Sequence, residues 1–284
     1  EYGNNKYRGN CSGRLIKDIA DQYRLTGLSD YMVGGGTTED VCKELSIPGT
    51  FLDLTRGYDM LTMDIPERAE NIFWHPPYAD IVTYSDVMYK AQDIIDTYGF
   101  DPKIDDLSRC HNWDDFVRKM NYCCLKQYAA LEKGGRMFVL MGDIKKRGRL
   151  YSMLAAIAKP GTLEQIIIKL QHNCTSDGTV YGRQNFVPIV HEYLMVLHKE
   201  NALFYPVSLS VTKQVDMRDC SGTTWKDVVC SLLEENGPMT LSELYEAVDG
   251  HQKCKNNQHW KDKIRQTLRV YPFERINDKW NVAS

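Results

Sequence analysis

The sequence predicts an α/β fold: helices flanking a mostly parallel sheet, with a small helical unit closing the chain. Three observations carry that expectation. Short apolar runs recur at 30–33, 51–54, 71–75 and 137–141, separated by amphipathic stretches, the β-α-β pattern of a parallel sheet. Successive runs end on chemistry-bearing residues: the turn Gly34-Gly35-Gly36, the carboxylate Asp53, and the tetrapeptide His75-Pro76-Pro77-Tyr78. Beyond about residue 200 the strand-like runs give way to helical periodicity. In a parallel sheet the three run ends share the carboxyl edge, where open α/β folds bind ligands.

Leu15, Ile16 and Ile19 stand at helical spacing and predict a first helix ending near Leu28. A strand at 30–33 leads into the glycine turn, and 38–45 reads as the following helix. Strands come next at 51–54 and 71–75. Residues 84–97 and 113–131 are helical by pattern, and Gly134-Gly135 introduces a buried strand at 137–141. Two further β-rich runs, 164–170 and 189–198, are joined by 173–188, whose Asn, Ser, Gly and Thr content predicts a loop. Residues 201–222 carry no period and read as a linker. Helices at 225–235 and 241–248 flank Gly237-Pro238-Met239-Thr240, and Thr240 followed by Glu243 is a capping-box pattern. A third helix at 260–270 and a tight turn at Asn277-Asp278 complete the outline of a winged helix-turn-helix. The expected domains are 1–200, a linker at 201–222, and 223–284.

At 284 residues the chain has room for one large and one small domain. A formal net charge of −3 argues against a uniformly basic, nucleic-acid-coating protein while leaving room for a local basic face. Nine scattered cysteines, never spaced Cys-x-x-Cys, suit thiols in a reducing cytosol. His251, Cys254 and His259 lack a fourth ligand at zinc-finger spacing, so no metal is expected. No apolar stretch is long enough to span a bilayer and no signal-peptide pattern opens the chain, so the expected location is cytoplasmic, close to the nucleoid. Glu1 in place of methionine reads as a trimmed start.

Taken together, the first two hundred residues resemble the amino-methylating DNA methyltransferases that use S-adenosylmethionine. The stretch Tyr7-Arg8-Gly9-Asn10-Cys11-Ser12-Gly13 is similar to the family segment that helps enclose the cofactor. Val33-Gly34-Gly35-Gly36-Thr37-Thr38 matches its glycine-rich cofactor loop, where absent Cβ atoms allow close backbone approach. The resemblance puts Asp53 against the ribose hydroxyls and Asp59 near the adenine, with Arg8, Gly9, Asn10 and Ser12 as further cofactor contacts. His75-Pro76-Pro77-Tyr78 aligns with the catalytic Asp/Asn/Ser-Pro-Pro-Tyr motif. There the first side chain and the Pro76 carbonyl accept the amine hydrogens, the prolines fix the backbone, and Tyr78 stacks on an extruded base. The resemblance thus implies a Rossmann-like methyltransferase sheet. His75 departs from the usual acid or amide. Neutral imidazole can accept a hydrogen bond and imidazolium cannot, so activity is expected to fall as pH drops through the histidine range.

The implied reaction is methylation of adenine N6 in double-stranded DNA with a flipped target base, in a restriction-modification or related setting. Cytosine N4 is the alternative within the class. A non-catalytic DNA-binding or regulatory subunit with the same fold, or a methyltransferase acting on protein or RNA, are alternatives outside it. Lys145-Lys146-Arg147-Gly148-Arg149 follows a strand end near the site and suits phosphate contacts. Arg183 lies in the 173–188 segment, read either as a base-contacting loop or as a plain connector. In 251–269, Lys253, Lys255, Lys261, Lys263, Arg265 and Arg269 oppose a single acid, Asp262, as a groove-binding helix requires. The competing reading makes Trp260, Ile264 and Leu268 the core face of a protein-docking module. A homodimer or a partner subunit is compatible with either.

Overall fold

The first helix, α1 (Gly13–Tyr23), starts where the Ser12 hydroxyl accepts the Arg14 N–H, and it stops at Arg24. Arg24 turns left-handed at φ 51° and closes its N–H on the Ala20 and Asp21 carbonyls, ending the helix five residues before the expected Leu28. Leu25 and Leu28 therefore enter the core from non-helical chain. The computed structural model describes residues 2–4, 6–146, 148–171, 188–211, 222–255 and 257–282. The chain divides into two compact units, Glu1–Ser210 and Val211–Ser284.

In the first unit the helices are α1, α2 (Thr37–Leu45), α3 (Ala91–Tyr98), α4 (Trp113–Ala130) and the single turn α5 (Met153–Ala156). The strands are β1 (Ala69–Trp74), β2 (Leu131–Met141), β3 (Ile144–Lys146), β4 (Arg149–Tyr151), β5 (Lys159–Pro160), β6 (Thr162–Leu170), β7 (His191–His198) and β8 (Val207–Ser208). The central sheet runs β1-β2-β7-β6, with β1 and β2 parallel and β7 antiparallel to both its neighbours. Two extended segments widen it beyond β1. Ser29 pairs in parallel with Ile72, and Asp30 pairs in parallel with Phe51 on its other side. The sheet is thus mixed: β1, β2, β6 and the two added segments run in one direction, and β7, placed between β6 and β2, runs against them.

Alternation along the strands divides the interior into two cores. Ile72, Trp74, Met137, Val139, Met141, Met195 and Leu197 face α4 through Phe116, Met120, Cys123, Cys124 and Tyr128. Phe73, Phe138, Leu140, Leu194 and Val196 face α1 and α2 through Ile16, Ile19, Ala20, Val41 and Cys42. This period-two division buries both faces of β1, β2 and β7 under helices, as a doubly wound arrangement requires, while the edge strand β6 is mostly exposed. Below α4, the fully buried Lys199 ammonium donates to the carbonyls of Tyr128 (3.2 Å), Ala129 (2.9 Å) and Leu131 (2.6 Å). It satisfies orphan acceptors at the helix end.

Several expectations shift. Residues 84–90 do not join a helix, because the Asp106 carboxylate takes the N–H (3.0 Å) and hydroxyl (2.7 Å) of Ser85 and holds that segment in turns before α3. Lys145, Lys146 and Arg149 of the basic run lie on the antiparallel pair β3–β4, a pairing with no periodic signature. Part of the expected linker belongs to the first unit: β8 pairs with β5, and the Ser210 hydroxyl donates to the Ala155 carbonyl. No helix among the described residues is long and apolar enough to cross a membrane.

The second unit contains α6 (Trp225–Asn236), α7 (Leu241–Val248), α8 (Gln252–Lys255), α9 (Trp260–Val270) and the hairpin β9 (Phe273–Ile276)–β10 (Lys279–Val282). Thr224 with Asp227 and Thr240 with Glu243 form capping boxes at the starts of α6 and α7. Asn277 and Asp278 both take positive φ (49° and 64°), the conformation a two-residue hairpin turn demands. Met239 bridges Trp280, and Val228, Val229, Leu232, Leu233, Leu244, Val248, Ile264 and Leu268 form the core.

Candidate active site

The segment at 28–30 has the 50–52 segment on one side and β1 on the other, so strand order reverses there. Its carboxyl side is the switch point at which open sheets bind ligands. A cavity of about 880 Å³, open to solvent, occupies that place.

Of the residues expected to hold a cofactor, Gly9, Asn10, Val33, Gly34, Gly35, Thr37, Thr38, Asp53 and Asp59 line this cavity, and His75 and Pro77 line it with them. The others sit outside the lining. Ser12 caps α1, Gly36 is the left-handed N-cap of α2 (φ 89°), and exposed Arg8 donates its N–H to the Met88 sulfur (3.2 Å). Pro76 is buried and is not among the lining residues.

Hydrogen bonds tie the lining into one frame. Asp53 Oδ2 accepts the Gly34 N–H (3.0 Å), and its Oδ1 accepts the N–H (3.0 Å) and hydroxyl (2.8 Å) of Thr55, so the carboxylate fixes the glycine turn. Asp59 accepts the Leu61 N–H (2.8 Å) and the Thr62 hydroxyl (2.6 Å), shaping its own turn. The N-terminus of α2 has no side-chain cap.

Sequence reasoning passed over several lining groups. Asp30 accepts the Thr38 hydroxyl (2.8 Å) and the Met32 N–H (3.1 Å), and burial lifts its carboxyl to about 7. A carboxylate closing a strand just before a glycine turn was the available signal. Tyr7, Tyr84 and Tyr89 add aromatic surface, the first two stacked with centroids 5.5 Å apart. Asp105 and Asp106 come from the chain before α4. Burial, then the neighbouring Asp59 charge, raises Asp105 above the ordinary carboxylate range. The lining carries five aspartates (30, 53, 59, 105 and 106) and neither lysine nor arginine.

His75 differs most from expectation. Burial lowers its imidazole to about 4, so it stays neutral through the ordinary histidine range. The expected loss of activity near pH 6.5 is therefore corrected to a much lower pH. Its Nε2 lies 3.0 Å from the Tyr78 hydroxyl, which donates to Glu192 Oε1 at 2.6 Å. Tyr78 is absent from the cavity lining, and its ring packs toward Gly142, where a Cβ would approach to 3.0 Å.

The basic candidates are spread over both units. Lys146 on β3 pairs with Asp80, just after the Pro-Pro pair, and Arg149 on β4 covers the Tyr151 ring at 5.1 Å. Lys145 is exposed on β3. Arg147 and Arg183 lie outside the described residues. In the second unit Lys253 lies over the Trp225 ring (5.8 Å), Lys261 over Tyr245 and Trp260 (5.4 Å each), and Arg265 pairs with Asp262. Lys255 is exposed on α8.

No family model and no curated protein matches the chain. Among solved structures it is similar to TehB from Haemophilus influenzae, at 8% sequence identity and a TM-score of 0.31. The match covers 66% of this chain and 63% of that one, so less than two thirds of that structure's length is spanned.

Proposed function

We propose that this chain is an S-adenosylmethionine-dependent methyltransferase acting on the exocyclic N6 amine of adenine in DNA. One observation carries the reading: the glycine turn, Asp53, and His75 with Pro77 just past β1 converge on a single cavity at the switch point of the sheet.

The charge of the lining fits the cofactor. Five carboxyl groups without a lysine or arginine suit a cation bearing hydroxyls and would repel a ligand rich in phosphates. Bound there, S-adenosylmethionine supplies a methyl group on a sulfonium that leaves by in-line displacement. Asp30 would hold its ammonium and Asp53 its ribose hydroxyls. The uncapped N-terminus of α2 would face its carboxylate, and the Tyr7 and Tyr84 rings would favour the sulfonium. Asp59 would lie at the adenine end.

For such a displacement the protein mainly aligns donor and acceptor, which supplies roughly 7–11 kcal/mol of the barrier. The Pro76 carbonyl and the neutral His75 ring would accept the amine hydrogens. An amine inside a duplex cannot reach this cavity, so the base must swing out, and Tyr84 and Tyr89 are the aromatic groups on the lining able to stack with it. Support for DNA as the partner is the basic pair β3–β4 anchored beside the motif, together with the basic residues of α8 and α9 in what we read as a winged helix.

The test is incubation with methyl-labelled cofactor and unmethylated DNA, followed by digestion to nucleosides. Labelled N6-methyladenine is the expected product. Labelled N4-methylcytosine would move the target to cytosine, and cofactor binding without transfer would leave a regulatory subunit.

A further inference from the structure

We infer that Tyr78, Glu192 and Lys169 form a positioning chain that fixes the tautomer of His75, leaving Nδ1 as the acceptor offered to the substrate amine. The inference rests on the methyl-transfer reading only for the identity of that amine.

Proton counting along the chain gives the result. Lys169 and Glu192 are direct cross-strand partners on β6 and β7, and the Lys169 ammonium bonds Glu192 Oε2. Burial alone would raise the Glu192 carboxyl. Hydrogen bonds from the Lys169 ammonium and the Tyr78 hydroxyl favour the ionised form, and the group is held below the usual glutamate range. An ionised carboxylate only accepts, so the Tyr78 proton points to Oε1, 2.6 Å away. The phenolic oxygen then has only lone pairs to present to His75 Nε2 at 3.0 Å. Nε2 must carry the hydrogen. A neutral imidazole has one N–H, so Nδ1 keeps the free lone pair, and His75 lines the cavity.

The arrangement answers the substitution at the head of the motif. Aspartate, asparagine or serine offers an acceptor oxygen in any state, whereas histidine does so only in the correct tautomer. Here the carboxylate acts on the ring through the Tyr78 hydroxyl, whereas behind metal-bound histidines it accepts the ring N–H directly. The arrangement also gives the Tyr78 hydroxyl, set between His75 and Glu192, a task of its own.

The test uses the full chain labelled with 15N-histidine. Its seven histidines allow the His75 signals to be assigned by their loss in His75→Asn. At neutral pH the wild type should show a protonated Nε2 and an unprotonated Nδ1. In Tyr78→Phe, which keeps the ring, the single tautomer should give way to a mixture. In Glu192→Gln, Lys169 should retain the amide oxygen and turn the amide nitrogen toward Tyr78. Tyr78 would then donate to Nε2, and the ring proton should move to Nδ1. Both variants should lose about tenfold or more in turnover with cofactor affinity nearly unchanged. A wild-type ring protonated on Nδ1, or a Glu192→Gln variant with unaltered tautomer and turnover, would overturn the inference. Because the spectrum needs no methyl transfer, a protein with the expected tautomer but no activity on nucleic acid would support the chain and reject the proposed function.

Discussion

Two single residues set the expected pH behaviour, and they act in different windows. His75 loses its acceptor when it protonates, so turnover at saturating cofactor should stay level through pH 6–8 and fall only as pH approaches about 4. His75→Ala should reduce turnover by about two orders of magnitude or more and leave cofactor affinity nearly intact. Steady-state kinetics with calorimetric binding separates the two. Asp30, raised to about 7 by burial, is largely protonated in the empty fold at mildly acid pH. Its pKa lies above the unfolded value, so its stabilising share is present at low pH and is lost as pH climbs from about 4 through about 7. Asp30→Asn should therefore raise the melting temperature more at pH 8 than at pH 5. A cationic ligand favours the carboxylate, so binding near pH 7 should release protons, measurable by calorimetry in buffers of different ionisation enthalpy. The glycine turn, Asp53 and His75 were legible in sequence because each is a local signal at the end of an apolar run. Glu192 and Lys169 were not, since only the pairing of β6 with β7 brings them behind the motif.

The elements themselves were legible where side-chain period dominates. The 18 residues of α4 and the α6, α7 and α9 helices follow the apolar pattern closely. Strand direction was less so, because the β6–β7 antiparallel pair leaves the same apolar runs as a parallel one would. The turns at 84–90 depend on the distant Asp106, which no local window contains. At Gly135 an element-level constraint is sharp. A Cβ there would lie 2.1 Å from the Glu70 carbonyl oxygen on β1, backbone that cannot rotate aside. Gly135→Ala should part the start of the β1–β2 pairing and cost about 1–3 kcal/mol, read as a lower urea midpoint. Phe138→Ala, in the core under α1 and α2, should cost about 3–5 kcal/mol in the same assay.

For the whole chain, the division after Ser210 allows the two units to be assigned separate tasks. Ending the chain at Ser210 keeps β8 against β5. It should weaken DNA binding and flatten its salt dependence while cofactor affinity holds, as fluorescence anisotropy at two ionic strengths would show. Unchanged DNA affinity would reassign the second unit to protein docking. The Lys199 ammonium, sealed beneath α4, has a consequence of its own. Amine-acylating reagents should label exposed lysines such as Lys145 and Lys255 rapidly and reach Lys199 only when the larger unit opens. Mass-spectrometric timing of acylation at that one site would then clock the rarest excursions of the fold under native conditions.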